Sequence, residues 1–197
     1  MSSLFAPLPP WPFGDLVPHG YNLIVADPPW RFESYSAAGE VKGAGAQYAC
    51  VDTEEIAERF PLGDLADPGA CLLLLWCTGP LLPRQLALIP RWGFAYQTCF
   101  AWSKVFPSGK PAIGTGYRVR ARCEYVAVAT VGSPQHAPFP GLFRGIRREH
   151  SRKPERFYEL IDQKCPQLAR RADVFARTRR PGWDAFGDEL DLFAEAS

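Results

Sequence analysis

Apolar residues in this chain gather in short unbroken runs instead of alternating with polar ones. Tyr21 to Ala26 (YNLIVA), Ala70 to Trp76 (ACLLLLW), Phe94 to Trp102 and Tyr125 to Val131 are the clearest. A strand covered on one face alternates in hydrophobicity, whereas a strand covered on both does not, so these runs predict β-strands held between two layers. Helical segments are predicted between them over Thr53 to Phe60, over Pro80 to Trp92 entered through a Thr78 cap, and over Pro154 to Lys164, where proline is tolerated in a first turn. Strand and helix thus alternate. That order predicts an α/β fold with a mostly parallel sheet and helices on both faces, its ligands lying beyond the carboxyl ends of the strands.

Prolines 7, 9, 10, 12 and 18 deny regular hydrogen bonding to residues 1–20, which are expected to form an extended arm ahead of a single domain over 21–197. Two glycine-containing stretches, 31–49 and 104–116, are long for connections in such a fold and are candidates for substrate contacts.

Composition narrows the picture. The longest apolar stretch, Ala70 to Cys77, has eight residues, far below the roughly 20 needed to span a bilayer. The N-terminus lacks a basic segment followed by an apolar run, so a cytoplasmic location is expected. Six cysteines include no C-x-x-C pair and only three histidines accompany them, which argues for reduced, core-filling thiols and against a metal site. Net charge is +1, yet residues 118–180 hold 15 Lys/Arg against six Asp/Glu. A basic segment inside a neutral protein suits a polyanionic partner, because phosphate neutralisation with counterion release drives nucleic-acid binding.

The candidate chemistry sits at Asp27-Pro28-Pro29-Trp30, directly after the first predicted strand. Two prolines fix two φ angles and supply no N–H, leaving the neighbouring carbonyls as a rigid acceptor platform without competing local donors. An adenine amine is a poor nucleophile because its lone pair is delocalised into the ring. A carboxylate (Asp27) and a carbonyl (Pro28), each accepting one N–H, would favour a pyramidal nitrogen aimed at an electrophilic methyl. Trp30 offers a face on which an extruded base could lie.

Here the chain resembles the DPPW adenine-N6 methyltransferases, the family of the catalytic subunit of the eukaryotic mRNA adenosine methyltransferase and its bacterial and phage relatives. The resemblance takes in YNLIVADPPW (21–30), LLLWCTG (73–79), FAWSK (100–104), GTG (114–116), EYVAVATVG (124–132), R-x-x-S-x-KPE (148–155) and F-A-R-x-R-R-P-G-W-D-x-F-G-D-E (175–189), in order. It implies a Rossmann-like fold with permuted motif order, dependent on S-adenosylmethionine and metal-free. Catalysis falls on Asp27, Pro28, Pro29 and Trp30. Cofactor binding falls on Asp27, Ser151, Lys153, Phe175, Arg177, Arg179, Arg180, Asp188 and Glu189, with Lys153 on the methionine carboxylate and Asp188 and Glu189 on the ribose or adenine edge. Tyr48, Trp102, Lys104, Glu124 and Arg148 are implied to line the substrate side, while Trp76 reads better as core. Many relatives carry Asn where Asp188 stands, and no G-x-G-x-x-G is present.

The implied partner is nucleic acid, with DNA preferred over RNA because the chain is compact and lacks the added domains of the eukaryotic RNA enzymes. A catalytically silent nucleic-acid-binding subunit is the alternative of another class, and methylation of a cytosine amine or protein amide a third. Neither recognition sequence nor oligomeric state is legible.

Overall fold

The computed structural model describes residues 10–30, 52–114, 118–148, 152–188 and 190. Its centre is a seven-stranded sheet in the order β5-β3-β4-β2-β1-β6-β7. The strands are β1 (Leu23–Ala26), β2 (Ala70–Cys77), β3 (Ala95–Val105), β4 (Cys123–Gly132), β5 (Leu142–Ile146), β6 (Arg171–Val174) and β7 (Asp184–Phe186). β1 pairs parallel with both β2 and β6, β6 with β7, and β3 with β5; β4 runs antiparallel to β2 and β3. Six strands therefore point one way and β4 alone opposes them, in keeping with the mostly parallel sheet expected.

Among the described residues three α-helices cover it: α1 (Thr53–Arg59), α2 (Leu82–Arg91) and α3 (Glu155–Lys164). Side chains alternate across a strand, and here both sets are buried. Ile24, Ala26, Leu73 and Leu75 pack with Ile56 of α1 and Leu88 and Ile89 of α2. Leu23, Val25, Leu72 and Leu74 pack on the other face with Phe157, Leu160 and Ile161 of α3. This double coverage is why the runs in β1 and β2 do not alternate. Three of the described cysteines, Cys71, Cys77 and Cys165, are buried apolar fillers whose thiols burial pushes up to about 12.

Asp52 caps α1 through its carboxylate, which accepts the Glu54 N–H at 3.1 Å. The expected Thr78 cap is absent: a 3-10 turn spans Gly79–Leu81, α2 starts at Leu82, and the Thr78 N–H donates to Gln85 Oε1 at 2.9 Å. Pro154 stands at the N-cap of α3, just outside the helix.

Part of the proline-rich arm is not extended. Phe13 and Leu16 are buried, and the Trp11 indole donates to the Leu16 carbonyl at 2.8 Å. Prolines forbid a ladder, yet they do not forbid packing, and the aromatic residues between them supply apolar area. Residues 1–9 lie outside the described residues. No helix among the described residues is long and apolar enough to cross a membrane.

β1 lies between β2, which the chain reaches next by way of α1, and β6, which it reaches only after β5 by way of α3. Such a switch point leaves a crevice at the strand ends.

Candidate active site

Asp27 leaves β1 at that crevice, its N–H donating to the Val174 carbonyl of β6 at 3.2 Å. Lys153, one residue ahead of the Pro154 cap, reaches across to it. The ammonium lies 2.9 Å from Asp27 Oδ2 and 3.1 Å from Glu124 Oε2, and 4.8 Å above the Trp76 ring. Lys104 pairs with the other oxygen of Glu124. The result is a row of alternating charge, Asp27, Lys153, Glu124 and Lys104, with side chains only 11–25% exposed.

Burial is the largest single cause at each group; it sets the direction at Asp27, while charged partners outweigh it at Glu124 and Lys153. Burial raises the Asp27 carboxyl above its ordinary range, more than Lys153 lowers it, with the Glu124 charge adding to the rise. Burial also opposes ionisation of Glu124, but Lys153 and Lys104 together bring it down to about 2. Lys153 is raised, because Asp27 and Glu124 outweigh the penalty of burying its ammonium.

Beside this row opens a pocket lined by Asp27, Lys153, Arg152, Asp173, Phe175 and Arg177, among others. Asp173, in β6, is 4% exposed, and its Oδ2 accepts the Tyr158 hydroxyl of α3 at 2.8 Å. Burial pushes its carboxyl up to about 7. Arg180 lies 3.6 Å over the Tyr158 ring and pairs with Glu155, as does Arg148.

Phe175 follows β6 with φ of +65°, a conformation costing a bulky residue of order 1–3 kcal/mol and kept where the surroundings over-determine it. Those surroundings are visible: its ring meets Phe60 edge-on at 4.9 Å, and the Ala176 N–H donates to the Phe186 carbonyl at 2.9 Å. Gly187 is needed opposite, since a Cβ there would sit 2.3 Å from the Ala176 oxygen.

The structure therefore brings together Asp27, Lys153, Glu124 and Lys104, and places Phe175, Arg177 and Arg180 on the pocket wall. Other expectations need correction. Trp30 is 3% exposed and donates to the Trp76 carbonyl at 3.1 Å, so its ring is core and offers no open face to a base. The Pro28 carbonyl does have a local donor, the Trp30 N–H at 2.8 Å, leaving one lone pair for a ligand. Trp102 is 2% exposed, its indole donating to the Gly145 carbonyl at 2.9 Å; it supports the site from beneath. Arg179 and Asp188 are exposed and do not line the pocket, and Arg148 is engaged with Glu155. Pro29 is half-buried beside Pro28. Tyr48, Ser151 and Glu189 lie outside the described residues.

Sequence reading missed Asp173, Tyr158 and Arg152. A carboxylate inside the apolar run ADVFA was the available signal. Trp76 is core as expected, and also carries the Lys153 ammonium on its face.

The family model for MT-A70 matches residues 21–189. The chain belongs to the MT-A70 family. It is 27% identical over 193 residues to the type II methyltransferase M.MunI of Mycoplasma sp, covering 86% of this chain and 78% of that one. It is also 27% identical over 192 residues to the N6-methyladenosine RNA methyltransferase MTA1 of Pyricularia oryzae, and 24% identical over 205 residues to the N(6)-adenine-specific methyltransferase METTL4 of Homo sapiens. This chain spans 49% of MTA1 and 38% of METTL4. The stretch matched to MT-A70 contains both the charge row and every pocket residue named above.

Proposed function

We propose that this chain transfers a methyl group from S-adenosylmethionine to the exocyclic N6 amine of adenine in nucleic acid, DNA preferred. The observation that carries the reading is Asp27, half-buried just beyond the end of β1, opening together with Lys153 on a pocket of mixed charge. The pocket's chemistry fits an elongated ligand with a zwitterionic end: Lys153, Arg152 and Arg177 can face a carboxylate, Asp173 a cation, and Phe175 a flat base. When bound, S-adenosylmethionine supplies a methyl group on a sulfonium.

Asp27 and the free lone pair of the Pro28 carbonyl then act on the acceptor amine. Each takes an N–H, which turns the nitrogen lone pair toward the methyl. An amine that took up that methyl group would have to give up one proton. Asp27, whose carboxyl burial has already raised, is the acceptor within reach. Lys153 keeps that carboxylate oriented, and Glu124 with Lys104 keeps Lys153 oriented.

Coverage of 78% of M.MunI against 49% of MTA1 supports DNA as the first reading. The name of MTA1 supports RNA as the second. Incubation with methyl-labelled S-adenosylmethionine and random DNA and RNA pools, followed by digestion and nucleoside identification, decides between them. N6-methyldeoxyadenosine is expected; label in a cytosine or in protein, or none, would overturn the reading.

A further inference from the structure

The chemistry proposed above gives the proline-rich arm no task, yet Phe13 of that arm is 0% exposed. Its ring meets Phe60 at 6.0 Å and Phe186 at 5.6 Å. Phe175 meets the same two rings, at 4.9 and 6.2 Å, and the two touch each other at 6.0 Å. Phe13 and Phe175 thus share two aromatic neighbours, although they lie in the first and last parts of the sheet's sequence.

The backbone accounts for those neighbours. Phe60 is the C-cap of α1, its N–H donating to the Ile56 carbonyl, and Phe186 stands in β7, paired with Val174. Phe175 has the left-handed φ of +65°, which a bulky side chain holds only where its surroundings impose it. Its ring is therefore the part of the wall most dependent on what packs behind it.

The arm is built to deliver Phe13 to that place. The Leu16 N–H donates to the Phe13 carbonyl at 3.1 Å, closing a turn through Gly14 at φ +57°, a conformation that costs glycine little. Trp11 packs edge-on to Phe13 at 5.2 Å, and its indole donates to the Leu16 carbonyl at 2.8 Å. The Tyr21 hydroxyl accepts the Val17 N–H at 3.1 Å and donates to Asp184 Oδ2 at 2.8 Å. That second bond fastens the arm to β7, the strand that carries Phe186.

We propose that Phe13 is a positioning residue: it holds Phe60 and Phe186 in place and through them keeps the Phe175 ring on the pocket wall. The proposal rests on the S-adenosylmethionine reading above, in which Phe175 meets a flat base. Phe13 and Trp11 are not among the residues that line the pocket, so an effect of theirs on a ligand has to pass through another side chain. Without the Phe13 ring, Phe60 and Phe186 border a void and can shift into it, and Phe175 is released toward an ordinary φ.

The test is a double-mutant cycle on the whole chain, read by calorimetry with S-adenosylhomocysteine as the probe. Phe13→Leu is expected to lower affinity by about tenfold, within what stacking one base on an aromatic ring is worth. In a Phe175→Ala background the ring to be positioned is gone, and the same substitution should change affinity by less than about twofold. KM for S-adenosylmethionine should rise by the same factor as the affinity falls, with kcat at saturation held within about twofold of wild type. Urea unfolding of each variant confirms that it is folded under the assay conditions. Should Phe13→Leu fail that check, Trp11→Leu, which loosens the seat of Phe13, takes its place in the cycle with about a threefold loss expected.

An equal loss in both backgrounds would overturn the proposal, because Phe13 would then act without Phe175. So would an unchanged affinity in the single variant, or a fall in kcat at unchanged KM. Wild-type affinity in Phe175→Ala would overturn it as well, by removing the contact that Phe13 is argued to support. A wild-type chain that binds neither S-adenosylmethionine nor S-adenosylhomocysteine would overturn the cofactor reading itself, an outcome distinct from the others.

Discussion

At the scale of single residues, the four-charge row is the feature most exposed to test. Asp27→Asn keeps the volume but replaces an acceptor by a group that donates toward the amine. Turnover is expected to fall more than tenfold, each factor of ten being about 1.4 kcal/mol, with an unchanged circular-dichroism spectrum. The wild-type acid limb should lie above the ordinary aspartate range, because burial raises Asp27.

Lys153→Met is different, since it strands two carboxylates. Removing one partner of a buried pair typically costs about 3–5 kcal/mol, and urea unfolding at pH 7 should show a loss of that order. The pH dependence follows from the sign of the Glu124 shift. Its folded carboxyl lies at about 2, below the unfolded value, so its contribution is full above that unfolded value and disappears as pH falls toward 2. The gap between wild type and Lys153→Met should therefore narrow through that window. Asp173 has the opposite sign: protonated when folded up to about 7, it costs stability as pH rises from about 4 to 7.

At the scale of elements, legibility followed burial on two faces. β2 was readable because both faces are covered over nearly its whole length, and β4 because its centre, Val126 to Ala129, is buried on both faces. β6 and β7 were not, having four and three residues and including charged side chains; neighbours, not propensity, make them strands. β5 was readable in principle, since its Leu-Phe-Arg-Gly-Ile alternates between exposed and buried, but it is short and follows a proline-rich stretch. DPPW marked the site correctly at the end of β1, whereas the fate of its tryptophan depended on packing between α1, α2 and the sheet that no local pattern records. Capping gives a clean element-level test. Asp52→Ala removes the bond to the Glu54 N–H and should cost about 1 kcal/mol, read as a lowered urea midpoint with unchanged slope.

At the scale of the whole molecule, charge asymmetry is the coarsest signal and the most useful for substrate form. Arg118, Arg120, Arg144 and Arg147 are exposed and are not among the residues that line the pocket. Neutralising all four should raise KM for nucleic acid while sparing kcat at saturation. The log–log salt slope should change by about 0.9 per lost phosphate contact on duplex DNA and about 0.7 on single strands. An unchanged slope and KM would assign these arginines to a solvated face.

β1 owes its position to partners far apart in the chain: Leu23 pairs with Leu72 on one side and with Arg171, 148 residues away, on the other. Contacts so distant in sequence are the last for which closure entropy is recovered. During synthesis Asp27 emerges early, but β6, which stands beside it, does not exist until much later. Until then the continuous apolar edges of β1 and β2 stand uncovered. The nascent chain thus carries exposed, strand-forming surface until the later strands are made, the condition in which aggregation competes with folding.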